Sequence, residues 1–197
     1  MKRAGYCLFS VSPSERFGIG LLDDQQRIHV LERDGKRFLY FDGRTDDWIR
    51  KDGENFSALQ VARLLQEHPD VVLAAAYGVP CAVSDELVMA ALKLRDGAKF
   101  DPKAFFEYCE QQVTGGSMDR KWFPDFLRLV EEFEYTQTEK ILVRNLKKLH
   151  FDKNRLGDEP IFFRRRGDTA YRRLTAADYA ALREEFAASE KLDVLDR

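Results

Sequence analysis

Two short stretches, FDGRTDDWIRKDGENFS at 41–57 and TQTEK at 136–140, hold the side chains best placed to do chemistry. Arg44 offers a planar fork of donors that fits the paired oxygens of a phosphate or carboxylate. Asp46 and Asp47 follow, and aspartate tolerates several backbone conformations because its short side chain bonds locally. Gly53, Glu54 and Asn55 form a turn in which a residue without Cβ lets another group approach the backbone. Lys140 places an ammonium on a flexible stem, able to meet two crowded oxyanions. Each also has an ordinary reading: an arginine paired with Asp42 or Asp46, a turn aspartate, a plain turn, a solvated lysine. Arg120 and Lys121 lie in a further loop, where basic residues are usually solvated but can also meet phosphate.

Other chemistries find no support. There is no Ser/His/Asp order, no metal-ligand box and no glycine-rich phosphate loop. With 32 basic and 34 acidic residues, the net charge of −2 gives no push towards nucleic acid or an anionic membrane. Of 197 residues 44% are hydrophobic, enough to build a core. No apolar run approaches the ~20 residues of a membrane span. The opening MKRAGYCLFSVSPSERF is too short in apolar residues for a secretory leader, so the cytoplasm is the expected compartment. Cys7, Cys81 and Cys109 are widely spaced and odd in number, which predicts structural thiols. His29, His68 and His150 lack ligand spacing and read as structural; His68, before Pro69, is placed to meet helix carbonyls.

The elements that position these residues can be sketched. IHVLERDGKRFLYF (28–41) reads as a hairpin around Asp34-Gly35, and GIGLL (18–22) is a candidate strand. Ser57 with Gln60 predicts a capping box for a helix over 57–68, with Leu59, Val61, Leu64 and Leu65 on its apolar side and Pro69 as its stop. DVVLAAAYGVP is a strand covered on both faces. ELVMAALKLRDG (86–97) and FLRLVEEF (126–133) are further strands. Asp101-Pro102 opens a helix with Phe105, Phe106, Cys109 and Val113 on one stripe. A last helix starts at Thr175, capped with Asp178, and buries Tyr179, Leu182 and Phe186. The expected fold is α+β: a small three-stranded sheet with flanking helices, a β-hairpin and hinge linker before it, and a helical tail after it. The expected boundaries are 1–43 (hairpin and linker), 44–150 (mobile domain) and 151–197 (tail).

FDGRTDDWIRKDGENFSALQVARLLQEHPDVVLAAAYGVP resembles the linker and first part of the C-terminal domain of adenylate-forming acyl-CoA synthetases. That family shows an aromatic-x-Gly-Arg run, then Gly-Glu-Asn, a helix, His-Pro and a Tyr-Gly-Val-Pro strand end. TQTEKILVRNLKKLHFD is similar to the family's Thr-x-Thr-x-Lys segment. FDKNRLGDEPIFFRRRGDTAYRRLTAADYAALR resembles the tail of the fatty-acid and very-long-chain members. The likeness covers roughly 36–183, with three motifs in order.

Such enzymes, AMP-forming acid–thiol ligases, join a carboxylic acid to AMP and pass the acyl group to coenzyme A. The resemblance implies ATP/AMP, coenzyme A and Mg as cofactors, with a fatty acid as substrate. It implies that Lys140 is the adenylation lysine, Asp46 the hinge on which the small domain swings between two poses, and Arg44 a contact to the AMP ribose or phosphate. Gly53, Glu54 and Asn55 become the loop that enters the site for thioester formation. Glu139 departs from the pattern, standing where many relatives have glycine. The implied partner is a large N-terminal domain carrying the ATP phosphate loop, so this chain is expected to be a lid domain, inactive alone. Nucleic acid is not an expected partner. Peripheral membrane association is open to enzymes of greasy acids but is not indicated here. The alternative is a stand-alone binding or regulatory module with the same fold.

Overall fold

A computed structural model describes residues 20–23, 26–33, 36–44, 47–137 and 139–196, with side chains from residue 47 onward. The chain divides after Trp48 into two units. In the first, β1 (Gly20–Asp23), β2 (Gln26–Arg33) and β3 (Lys36–Arg44) pair in sequence order as an antiparallel sheet. Strands β2 and β3 are the hairpin expected around 28–41, with Arg33 opposite Lys36. Asp46, the expected hinge, and Cys7 lie outside the described residues.

The division falls one residue into β4 (Trp48–Lys51), which pairs with β5 (Glu54–Ser57) in a small two-stranded sheet at the start of the second unit. Helix α1 (Ala58–Gln66) follows. Ser57 occupies its N-cap position but makes no side-chain cap hydrogen bond, so the expected capping box with Gln60 is absent. The buried stripe is Ala58, Val61, Ala62 and Leu65, and Leu59 faces outward instead of inward. Helix α2 (Pro102–Thr114) begins as predicted: the Asp101 side chain accepts from the Lys103 and Ala104 amides.

Strands β6 (Val71–Pro80), β7 (Glu86–Leu94) and β8 (Phe126–Leu129) are the three expected from the sequence, although β8 ends at Leu129 and not at Phe133. They form one part of a larger sheet, ordered β10-β9-β8-β7-β6, that the tail extends by β9 (Ile161–Phe163) and β10 (Arg172–Arg173). Strands β7 and β8 run parallel, which requires the long crossover through α2; the other pairs are antiparallel. Helix α3 (Val143–Leu149) precedes the tail, which carries α4 (Lys153–Leu156), α5 (Ala176–Ala188) and α6 (Leu192–Leu195). Helix α5 starts with the predicted Thr175–Asp178 capping box.

Strand alternation divides the hydrophobic interior into two cores, one on each face of this sheet. Val88, Ala90 and Leu92 of β7 join Val61 and Leu65 of α1 and Phe105, Phe106 and Cys109 of α2 on one face. Met89 and Ala91 join Phe151, Leu156, Tyr179, Leu182 and Phe186 on the other. Phe126 and Phe151 stack there with ring centres 4.3 Å apart. The sheet is therefore covered on both sides, as the near-continuous apolar run of β6 required.

Candidate functional site

The Gly53 turn is a two-residue connection between β4 and β5. Asp52 and Gly53 both take positive φ, 50° and 77°. This is the pattern of a hairpin turn that Asp-Gly favours. A Cβ on Gly53 would meet nothing within 4 Å, so conformation rather than crowding calls for glycine. Gly53, Glu54 and Asn55 are all exposed. The Glu54 carboxylate pairs with Lys121 Nζ at 2.6 Å, a bond that raises the lysine's pKa. Arg120 pairs with Glu110. Both loop cations therefore meet carboxylates of their own chain.

The strand leading into this turn is held from several sides. Ile49 is fully buried. The Arg50 amide donates to Glu86 Oε2 at 2.8 Å, and the Gly53 amide donates to Asp85 Oδ2 at 3.2 Å. Lys51 is buried, and its Nζ donates to Asp125 Oδ2 at 2.6 Å. That carboxylate also accepts from the Val88 amide at 2.9 Å and lies 3.3 Å from Arg164 Nη2. Arg164 in turn stacks over Phe123, 4.2 Å from its ring centre. A buried cation survives only with a paired and hydrogen-bonded anion, and Asp125 serves two cations at once.

Lys140 sits at the end of a second tight turn. Tyr135 and Ile141 form an isolated bridge. The Thr136 amide donates to the Lys140 carbonyl at 2.7 Å, and the Lys140 amide donates to Thr136 Oγ1 at 3.1 Å. Threonine at 136 thus closes the turn with its side chain. Glu139 takes φ 58°, the left-handed region. That explains why glycine suits this position and marks the departure noted above as a source of strain. The Lys140 side chain is exposed, and no ion pair holds it among the described residues. Its ammonium is therefore displayed to solvent.

The two turns are not brought together. Phe56 of the Gly53 hairpin packs into the α1/α2 core with Ile49. Phe133, Ile141 and Val143, which flank the Lys140 turn, pack into the α5 core. One turn thus belongs to each face of the same sheet. Arg44 ends β3, opposite Gln26, in the other unit.

Cys81 and Cys109 are buried free thiols, as expected, and burial pushes Cys109 up to about 12. His68 departs from expectation: its Nδ1 accepts from the Asp70 amide at 3.2 Å, and its ring packs on Phe105 and Tyr108. The His150 Nε2 lies 3.0 Å from the Leu195 carbonyl oxygen. Among the described residues no cluster of His, Cys, Asp or Glu could hold a metal ion. The sequence reading missed Lys51, Asp85, Glu86, Asp125 and Arg164. Their partners lie 32 to 74 positions apart, beyond any local pattern. The Asp52-Gly53 pair was a signal that could have revealed the hairpin.

No family model matches the chain. It is 38% identical over 150 residues to the steroid-22-oyl-CoA synthetase of Rhodococcus jostii, covering 76% of this chain and 26% of the relative. It is 38% identical over 142 residues to the medium/long-chain-fatty-acid–CoA ligase FadD17 of Mycobacterium tuberculosis, covering 72% and 27%. In structure it is similar to the o-succinylbenzoate CoA synthetase of Bacillus subtilis, solved with its acyl-adenylate intermediate. The TM-score is 0.53 at 22% identity, over 62% of this chain and 23% of that one. The fold is that of the C-terminal domain of adenylate-forming enzymes. The chain is thus similar to acyl-CoA ligases over about three quarters of its own length, and it spans about a quarter of the length of the curated relatives it matches.

Proposed function

We propose that this chain acts as the lid of an ATP-dependent acyl-CoA ligase, serving each half-reaction from a different face. Lys140 reaches the α-phosphate and the attacking carboxylate during adenylation, reducing the repulsion between their oxygens. The Gly53–Asn55 turn enters the site when coenzyme A attacks the acyl-adenylate. Arg44 meets the AMP ribose or phosphate from the linker, and Asp46 is the pivot. ATP, coenzyme A and Mg are held mainly by a large domain, and the acid is a fatty acid or a similarly bulky carboxylic acid. The named activities of the relatives support the ligase class.

The observation that carries this reading is the placement of the two turns on opposite faces of one sheet. A single pose cannot offer both to one ligand, so a lid that uses both must turn over between steps. The exposed Lys140 ammonium, without an ion pair among the described residues, fits a group whose partner arrives with the substrate.

The test joins this chain to a matching large domain and replaces Lys140 by Ala. Pyrophosphate release from ATP and acid is expected to fall about a hundredfold, the loss of roughly 3 kcal/mol for one well-placed donor. Thioester formation from supplied acyl-adenylate is expected to continue. Equal loss of both steps would sink the assignment. The 197-residue chain alone is expected to release no pyrophosphate from ATP and a fatty acid.

A further inference from the structure

Glycine inside a strand weakens it and calls for a reason. Gly78 lies within β6, opposite Val88 of β7, in the Tyr-Gly-Val-Pro segment. A Cβ at Gly78 would lie 2.4 Å from Cδ of Glu86 and 2.5 Å from each of its carboxylate oxygens. The Glu86 carboxylate therefore rests across the bare backbone of Gly78, a position any larger residue would deny it.

That carboxylate has a specific task. Among the described residues strand β4 pairs with β5 alone, so the Arg50 amide on its outer edge must find a partner outside the hairpin. Glu86 Oε2 accepts the Arg50 amide on that edge at 2.8 Å. Asp85, beside it, accepts the Gly53 amide at 3.2 Å and lies 3.4 Å from Arg50 Nε. Between them Lys51 is anchored inward on Asp125. Three carboxylates of the sheet unit thus hold consecutive parts of the strand and turn, and Gly78 makes room for one of them.

We propose that Glu86, seated on Gly78, is a positioning residue for the Gly53–Asn55 turn, tying β4 to the sheet so that the turn is carried as one body with it to the thioester step. This rests on the reading of that turn as the thioester loop. Glu86 touches no reacting atom; it acts through the Arg50 amide.

The experiment is a double-mutant cycle of Gly78→Ala and Glu86→Ala. In the 197-residue chain, amide hydrogen exchange is followed at Arg50 and Gly53. Gly78→Ala displaces the carboxylate, and exchange at Arg50 is expected to quicken between about tenfold and a hundredfold, as for loss of one charge-assisted hydrogen bond. Glu86→Ala should do the same, and the double variant should add nothing. Glu86→Gln, whose amide oxygen can still accept, should restore most of the protection. The same variants joined to a large domain are assayed with ATP and lauric acid, and separately with lauroyl-adenylate and coenzyme A. Acyl transfer is expected to slow about tenfold while pyrophosphate release stays within about twofold. The proposal is overturned if Arg50 exchange is unchanged, if Gly78→Ala keeps its full effect without the Glu86 carboxylate, or if both half-reactions fall equally. Gly53→Val in the joined enzyme separates the two claims. If it leaves acyl transfer intact, the reading of the turn is at fault. If it slows transfer while Gly78→Ala does not, the positioning role is at fault.

Discussion

Glu139 and Lys140 are adjacent, and their contributions can be separated. Glu139 holds φ 58° in the turn that presents the lysine, a conformation costing a non-glycine residue on the order of 1 kcal/mol or more. Glu139→Gly removes that strain but adds freedom to the unfolded chain, worth ~0.4–1 kcal/mol in the other direction. The expected net gain is up to about 1 kcal/mol, read from the urea midpoint of the 197-residue chain. Lys140→Ala, at an exposed position without an ion pair among the described residues, should change the same midpoint by less than about 0.5 kcal/mol. A destabilised Lys140→Ala chain would mean that any loss of adenylation reports folding instead of chemistry. Lys140 and Gly53 were legible because each belongs to a short contiguous motif. Asp125 was not: what sets it apart is that Lys51, 74 positions away, and Arg164, 39 positions away, converge on it. No spacing in the chain announces such a meeting.

At the scale of elements, legibility followed length and local chemistry. Helix α2 announced itself through Asp101-Pro102, and β6 through a long apolar run, because caps and doubly covered strands leave local marks. Strands β9 and β10 are three and two residues long and owe their state to pairing next to β8, so no periodicity could show them. Leu59 was misplaced because alanines at 58 and 62 share the buried stripe of α1, shifting it away from the leucine. The tail's last helix gives a pH prediction. His150 is buried, and its Nε2 must carry a proton to donate to the Leu195 carbonyl at 3.0 Å. Its Nδ1 then has no partner among the described residues, and a second proton there would bury an unpaired N–H. Burial accordingly holds its pKa below the ordinary 6.5, outweighing the pull of the Leu195 hydrogen bond and of Asp152 and Asp196. The unfolded chain takes up this proton first as pH falls. The contribution is thus intact above about 6.5 and is lost progressively below it. His68 is shifted the same way by burial, so the comparison must be made against a variant. His150→Asn, which tolerates the positive φ of 32° at this site, should lose less stability than the parent between pH 7.5 and pH 5 in urea titrations.

At the scale of the molecule, the sheet acts as a partition. Core residues alternate across it, with Val88, Ala90 and Leu92 on one side and Met89 and Ala91 on the other, so the buried apolar side chains of the two faces form separate clusters. Perturbations at the Gly53 and Lys140 turns should therefore be energetically independent, because coupling arises between residues that share contacts or networks. Combining Lys140→Ala with Gly53→Val in the joined enzyme tests this. Gly53→Val forces a β-branched residue to φ 77°, which distorts its own turn. For pyrophosphate release, the double variant should match Lys140→Ala alone within about twofold. For acyl transfer from supplied adenylate, it should match Gly53→Val alone within the same margin. A cross-effect larger than about tenfold, roughly 1.4 kcal/mol of coupling, would mean that the two turns meet one ligand in one pose. The turning lid would then have to give way to a fixed one that uses both faces of its sheet at once, a geometry the partition makes hard to build.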